Sequence, residues 1–277
     1  MSSATIEAGE ATSGLSAKSI CDHMIAAVSN ANLEREPFCH IYTKGFFPAE
    51  LYTQLLKSLP PVSLYKPINL RNWSRADGTS TRDEFYLTDE NIGRLSSAVG
   101  AFWKTVTAAC RSEAFKEAVL KKLAPDIAQR FKIREADVPS LTCARDVVLF
   151  RDTEDYRIKP HPDGLNKIVT LQIYLPEDES LIDLGTSLYT RREGFIGSHV
   201  GEIFGKSFYR RHPELFGSRF EETKRFPFLP NSAYAFPVSD GKERQSLHGR
   251  DKLTGFSGVR NTMMILFVQK SSTTYVS

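Results

Sequence analysis

The first half of the chain has apolar residues at helical spacing. Segments 15–28 and 48–59 repeat apolar side chains every three or four residues, which predicts two helices. Between them, segment 38–47 is rich in aromatic and β-branched residues and is predicted to form a strand. A longer amphipathic stretch at 91–123 predicts two more helices. The N-terminal half is therefore predicted to be mainly helical.

After Pro139 the pattern changes to short β-branched and aromatic runs separated by turn residues. Such runs are typical of strands, and they lie at 147–150, 168–175, 186–189, 233–238 and 259–268. Helices followed by strands predict an α+β fold, with the helices packed on one side of a barrel or sandwich. We expect a disordered N-terminus at 1–14 and a single domain at 15–277. This domain would comprise a helical support region at 15–138 and a β core at 139–277.

Composition limits the class of protein. The chain is 41% hydrophobic and 25% charged, which is ordinary for a soluble globular protein. No apolar run approaches the roughly 18 residues of a membrane span, and the N-terminus lacks the pattern of a secretory signal, so we expect a cytoplasmic protein. A net charge of +3 is too small to indicate nucleic acid binding. The four cysteines form no Cys-x-x-Cys pair, which argues against a zinc site or a disulfide framework.

Two short motifs carry candidate chemistry. His161 and Asp163 are two residues apart at the mouth of a predicted strand, where residues i and i+2 of an extended chain point to the same side. Alone this pair is a weak signal, because such tripeptides arise by chance. It gains weight from His248, which Arg260 follows by about a dozen residues, with Thr262 two positions further on. Two imidazoles and one carboxylate on one side of Fe(II) form a facial triad, which leaves positions open for a 2-oxo acid and dioxygen.

This set of motifs resembles the Fe(II)/2-oxoglutarate-dependent oxygenase superfamily over about residues 145–270. The resemblance implies a double-stranded β-helix core of jelly-roll, cupin-like type with supporting N-terminal helices. It further implies that His161, Asp163 and His248 hold the iron. The distal carboxylate of 2-oxoglutarate would be held by Arg260 and Thr262. Because Asp163 occupies the ligand position where related halogenases have a small residue, hydroxylation is expected rather than halogenation.

The resemblance implies a dioxygenase that uses Fe(II), 2-oxoglutarate and O2. It would hydroxylate an aliphatic carbon and release succinate and CO2. The run 161–189 is similar to bacterial members that hydroxylate free or N-acylated amino acids, so the expected partner is a small anionic metabolite such as an amino-acid derivative. Two alternatives remain open: a protein or peptide hydroxylase of the same superfamily, and a noncatalytic jelly-roll binding module.

Several charged residues outside these motifs have weaker interpretations. Segment 191–228 is rich in Gly, Arg and Phe and is predicted to be a long insertion between strands. Arginine-rich segments are usually solvated faces. If this one covers the site, Arg210 or Arg211 could bind an anionic group on the substrate, together with Arg82. The run of acidic residues at 152–155 is interpreted as a solvated hairpin end rather than an acid/base pair.

Overall fold

Six α-helices lie in the described part of the N-terminal half of the chain. The computed structural model describes residues 15–70, 73–192, 219–239, 241, 244–255 and 258–269. Within them the helices are α1 Ala17–Asn30, α2 Ala49–Lys57, α3 Asp89–Ile92, α4 Ser97–Cys110, α5 Glu113–Lys122 and α6 Ala124–Phe131. Serine side chains cap two of these helices: Ser16 accepts from the Ser19 amide before α1, and Ser112 accepts from the Phe115 amide before α5. In the described part of the chain, no helix is both long and apolar enough to cross a membrane.

The strands form two antiparallel sheets. They are β1 Leu33–Glu34, β2 His40–Lys44, β3 Lys66–Pro67, β4 Arg82–Tyr86, β5 Cys143–Asp152, β6 Ile158–His161, β7 Lys167–Tyr174, β8 Ser187–Arg191, β9 Phe220–Arg225, β10 Ser232–Pro237, β11 His248–Arg250 and β12 Arg260–Gln269. The larger sheet has the order β1-β2-β10-β7-β12-β5-β4-β3, and the smaller has the order β6-β11-β8-β9. The predicted combination of N-terminal helices with a β core is confirmed, and the structure shows that this core consists of two sheets.

From β5 onward the chain changes sheet at every step between described strands, except between β8 and β9, which pair in the smaller sheet. Strands β5, β7, β10 and β12 belong to the larger sheet, whereas β6, β8, β9 and β11 form the smaller one. As a result, neighbours in a sheet are often distant in sequence, and β12, the last strand described, pairs with both β5 and β7. This winding brings the two ends of the β region together.

The two faces of the larger sheet have different environments. In β12, Met263, Ile265 and Phe267 are fully buried in the main hydrophobic core, which also contains Trp103 of α4 and Phe115 of α5. Because side chains alternate along a strand, the intervening positions face away from this core. The helices therefore cover one face of the larger sheet and leave its other face free to form a site.

Two predictions about the organisation of the chain need correction. The helical support region 15–138 was predicted with one strand, at 38–47, but it contributes four strands, β1 to β4, to the larger sheet. The predicted insertion at 191–228 contains β9, which pairs with β8 along the edge of the smaller sheet. The side chains of β9 are mostly exposed and polar, so this strand lacks the apolar signal used in the prediction. Segments 1–14 and 193–218 lie outside the described residues, and so do Arg210 and Arg211.

Candidate metal site and its cavity

Three potential metal ligands converge at the edge of the smaller sheet. His161 ends β6 and is paired directly with His248, the first residue of β11. Asp163 lies two residues beyond His161. The ligand atoms of the three side chains all lie within 4.8 Å of one another, and the two imidazole centroids are 4.5 Å apart. We refer to His161, Asp163 and His248 as the metal cluster.

Gly249 allows the two histidine-bearing strands to approach each other closely. A Cβ atom at Gly249 would lie 2.7 Å from the Ile158 carbonyl oxygen and 3.0 Å from the Pro160 nitrogen. These atoms belong to the backbone of β6 and have little freedom to move away. A glycine between His248 and Arg250 therefore sets the spacing between the two histidines.

Backbone hydrogen bonds orient both histidine rings. The Nδ1 atom of His161 lies 2.9 Å from the Lys159 carbonyl oxygen, and that of His248 lies 3.0 Å from the Ser246 carbonyl oxygen. Since a carbonyl oxygen only accepts, Nδ1 carries the proton in each ring, and the Nε2 lone pair is left to face a metal. The pKa of His248 is lowered to about 4, because burial and the neighbouring His161 lower it more than Asp163 raises it. This imidazole is therefore neutral at pH 7, as a ligand must be.

Asp163 is held as an ionised carboxylate by residues of β7. Lys167 Nζ donates to its Oδ1 at 2.7 Å, and Thr170 Oγ1 donates to its Oδ2 at 2.6 Å. Burial alone would raise the pKa of this carboxyl group, but His248 and Lys167 lower it to about 2. The metal cluster thus combines one fixed carboxylate with two oriented imidazoles, which is a donor set suited to Fe(II).

A cavity of about 300 Å³ extends from the metal cluster between the two sheets. Three buried arginines line it: Arg82 and Arg250 are each 7% exposed, and Arg260 is 2% exposed. We refer to these three residues together with Asp152, which is fully buried, as the arginine cluster. Buried guanidinium groups are rare unless they are paired, so their gathering in one cavity requires a specific explanation.

Strand register aligns three members of the arginine cluster. Asp152 of β5 is paired with Arg82 of β4 on one side and with Arg260 of β12 on the other. Arg260 Nη1 donates to Asp152 Oδ2 at 2.7 Å, and Arg82 Nε lies 3.3 Å from Asp152 Oδ1 as an ion pair without hydrogen-bond geometry. The interpretation of Asp152 as part of a solvated hairpin end was wrong. Its carboxylate is enclosed because β4, a strand that the sequence analysis missed, covers the edge of β5.

Arg82 forms part of the cavity wall through several contacts. It donates to the Tyr156 hydroxyl, and its guanidinium lies 4.0 Å from the centre of the Phe150 ring. Burial alone would lower the pKa of Arg82, but Asp152 and Tyr156 raise it above the ordinary value. Because its guanidinium already makes these contacts, Arg82 has fewer N–H groups available to bind a substrate than expected from the sequence.

A chain of polar side chains leads to Thr262. The Tyr234 hydroxyl donates to Gln172 Oε1, and Gln172 Nε2 donates to Thr262 Oγ1 at 3.0 Å. Because Thr262 accepts this bond, its own hydroxyl proton is available to a further acceptor. Thr262 is fully buried and lies on the same face of β12 as Arg260. The two residues are therefore placed as the alternation of β12 predicted.

Arg250, Asp152 and Gln172 are site residues that the sequence analysis missed. Arg250 follows His248 by two positions, so the alternation argument that joined His161 to Asp163 would also have found it. Gln172 and Thr170 are buried polar residues two positions apart in β7, so they share one face of the strand, and buried polar residues on one face can indicate a lined cavity. No comparable signal exists for Asp152, because its environment depends on pairing with β4 and β12.

The fold is similar to those of several solved structures. A prolyl-4-hydroxylase from Pseudomonas putida has a TM-score of 0.48 and 10% identity, covering 89% of this chain and 99% of its own. A dioxygenase for auxin oxidation from Arabidopsis thaliana, in complex with 2-oxoglutarate, has a TM-score of 0.49 and 10% identity, and the match covers 95% of this chain and 92% of its own. An oxidoreductase of the 2OG-Fe(II) oxygenase family from Burkholderia pseudomallei has a TM-score of 0.45 and 9% identity, covering 90% and 91%.

No family model matches the sequence, and no curated protein matches it. At these identities and TM-scores, the likeness to solved structures assigns no activity. The function therefore has to be inferred from the side chains of the metal cluster and of the cavity beside it.

Proposed function

We propose that this protein is an Fe(II)- and 2-oxoglutarate-dependent dioxygenase that hydroxylates an aliphatic carbon of a small anionic metabolite. The observation that carries this proposal is the opening of the metal cluster into the same cavity as the arginine cluster. A 2-oxo dicarboxylic acid has one end that chelates a metal and another that pairs with a guanidinium. Both kinds of group line this cavity.

The topology supports the corresponding fold. We infer that β5 to β12 form a double-stranded β-helix, since these eight strands divide equally between the two sheets and the chain changes sheet at every step except between β8 and β9. In this fold the metal cluster lies at the edge of the smaller sheet, where β6 and β11 pair. Its ligands are thereby fixed by strands rather than by loops alone, which favours a preorganised site.

The residues fit an iron ion. His161 and His248 would bind through Nε2, and Asp163 would bind through a carboxylate oxygen. When bound, iron would couple the decarboxylation of 2-oxoglutarate to succinate and CO2 with the insertion of an oxygen atom from O2 into a C–H bond. The protein itself keeps the imidazoles in the Nδ1–H tautomer and keeps Asp163 ionised through Lys167 and Thr170.

Arg260 and Thr262 would bind the distal carboxylate of 2-oxoglutarate. Arg260 Nη2 is buried and has no hydrogen-bond partner among the residues that the structure describes. The free hydroxyl proton of Thr262 provides a second donor on the same strand face. A planar guanidinium is suited to a carboxylate, and a buried carboxylate here would compensate positive charge that is otherwise costly.

The small size and anionic character of the substrate are supported by the cavity and its entrance. A volume of about 300 Å³ would have to hold both the cosubstrate and the reacting part of the substrate. Next to it, a second cleft of about 340 Å³ shares Trp73, Ile158 and His161 with the cavity and is also lined by Arg157 and Lys159. An anionic group entering through this cleft would meet two cations beside the metal cluster.

A screen of metabolites for substrate-stimulated succinate release tests the proposed function. The Fe(II)-loaded protein is incubated with O2, 2-oxoglutarate and candidate carboxylates or phosphates, and the His248→Ala variant serves as the matched control. We expect one class of small anion to increase succinate release in the wild-type protein only. Peptides are added as a second set of candidates, and stimulation by a peptide but by no small molecule would favour a protein hydroxylase. Absence of bound iron would favour a noncatalytic binding module.

A further inference from the structure

The arginine cluster has more positive than negative charge. Its single carboxylate, Asp152, forms ion pairs with Arg82 and Arg260. Among the described residues, Arg250 forms no ion pair with a carboxylate. A buried charge without a partner costs several kcal/mol, so a guanidinium in this position is expected to have an anionic ligand.

Arg250 is anchored but not fully hydrogen-bonded. Its Nη1 donates to the Gly185 carbonyl oxygen at 2.9 Å, whereas its Nε is buried and has no hydrogen-bond partner within the described part of the chain. A buried N–H group without an acceptor in the described residues, and a second guanidinium, that of Arg260, lining the same cavity, both favour an anion as the ligand of Arg250.

Arg260 approaches the same point from the opposite sheet. Its Nε donates to the Leu184 carbonyl oxygen at 2.7 Å, and Leu184 immediately precedes Gly185, which accepts from Arg250. The two guanidiniums are thus anchored to consecutive peptide groups, one from β11 and one from β12. Each retains a buried N–H group without a partner in the described residues, namely Arg250 Nε and Arg260 Nη2. Both side chains line the cavity that also contains the metal cluster.

We propose that Arg250 and Arg260 bind the distal carboxylate of 2-oxoglutarate together, as a clamp of two arginines contributed by the two sheets. This inference rests on the proposed function. One carboxylate between the two guanidiniums would pair with the charge that Asp152 does not compensate. The clamp also makes the cavity selective for a 2-oxo dicarboxylic acid over a 2-oxo monocarboxylic acid, which would leave Arg250 without an anion and the buried N–H groups of Arg250 Nε and Arg260 Nη2 without an acceptor.

The clamp can be tested by ligand binding, without turnover. Nickel(II) replaces Fe(II), because it binds nitrogen and oxygen ligands more tightly and allows titration without oxidation. Calorimetry measures the affinity for 2-oxoglutarate and for 2-oxobutanoate, which lacks the distal carboxylate. The wild-type protein is compared with Arg250→Met and with a matched control, Lys252→Met, which removes an exposed cation two residues further along the chain.

We expect Arg250→Met to weaken 2-oxoglutarate binding at least about tenfold, which corresponds to about 1.4 kcal/mol. Affinities for nickel and for 2-oxobutanoate should stay the same, and Lys252→Met should match the wild type. If Arg250→Met fails to fold, Arg250→Lys retains the charge but loses the fork, and its affinity for 2-oxoglutarate should fall selectively as well.

Two results would overturn the clamp. Unchanged 2-oxoglutarate affinity in the Arg250 variant would remove this residue from the cosubstrate site, for example in favour of a substrate anion. An equal loss of affinity for 2-oxoglutarate, 2-oxobutanoate and nickel would assign Arg250 a structural role. Failure of the nickel-loaded wild-type protein to bind 2-oxoglutarate would instead reject the proposed function itself.

Discussion

The metal cluster and the arginine cluster lie in one cavity, but the chain assembles them in different ways. His161 and Asp163 are two residues apart, and His248 joins them through a single strand pair. The arginine cluster instead takes residues from β4, β5, β11 and β12, which span most of the described chain. Short-range spacing defines most of the first cluster, whereas long-range strand register defines the second.

The two clusters also differ in how their charges are compensated. Both carboxylate oxygens of Asp163 accept a hydrogen bond, and both histidines of the metal cluster have a defined tautomer. In contrast, Arg250 and Arg260 each have a buried N–H group without a partner in the described residues. The metal cluster is therefore preorganised for a cation, and the arginine cluster is incomplete without an anion. Four substitutions separate these two properties: the first acts on stability, the next two on metal binding and the last on cosubstrate binding.

Asp152→Asn should have the largest effect, and the effect should be on stability. Removing one partner of a buried ion pair typically costs about 3–5 kcal/mol, because the remaining charge is left uncompensated. We expect a loss of this size in urea unfolding of the ligand-free protein. Asp155→Asn is the matched control, since Asp155 is 40% exposed and pairs at the surface with Lys252 and Arg75. Equal losses of stability in the two variants would show that the buried ion pairs of Asp152 stabilise the protein no more than the surface ion pairs of Asp155.

His248→Ala should abolish tight metal binding with little effect on the arginine cluster. Removing a side chain that only hydrogen-bonds to a metal ligand typically lowers metal affinity by about 10–100-fold. Removing a ligand itself should therefore weaken nickel binding by at least about 100-fold. The measurement is calorimetric titration with nickel. His23→Ala is the control, because His23 lies on α1 and its ring contacts the Gly45 carbonyl oxygen. Retained nickel affinity in His248→Ala would exclude His248 as a ligand.

Thr170→Val tests the support of Asp163. This substitution preserves the shape of the side chain but removes the donor to Asp163 Oδ2, so we expect nickel affinity to fall by about tenfold. Thr170→Ser keeps the hydroxyl group and should restore most of the affinity. Equal affinities in the Val and Ser variants would mean that Lys167 alone is sufficient to orient the carboxylate.

Arg260→Met should act on the cosubstrate rather than on the metal. We expect the affinity for 2-oxoglutarate to fall at least about tenfold, equivalent to about 1.4 kcal/mol, while nickel affinity is retained. Asn261→Ala is the control, because Asn261 is the next residue of β12 and points to the opposite face. Unchanged cosubstrate affinity in a folded Arg260 variant would contradict its assignment to the site.

The contrast between short-range spacing and long-range strand register also explains which features could be predicted from the sequence. Helical periodicity located α1 and α2 to within two residues at each end, and alternation put Arg260 and Thr262 on one strand face. Their roles as cosubstrate ligands, and the role of the metal cluster, stay predictions. Asp152 could not be interpreted from its neighbours, since its burial results from pairing with β4 and β12. Strand β9 was missed because an exposed edge strand needs no apolar alternation.

The central claim is that one cavity binds Fe(II) through the metal cluster and 2-oxoglutarate through the arginine cluster. Its most direct test is an anaerobic calorimetric titration of the metal-free protein, first with Fe(II) and then with 2-oxoglutarate. We predict one Fe(II) per chain, and one 2-oxoglutarate that binds tightly only after the metal. A double variant, His161→Ala with His248→Ala, that binds iron and 2-oxoglutarate as the wild-type protein does would contradict the claim.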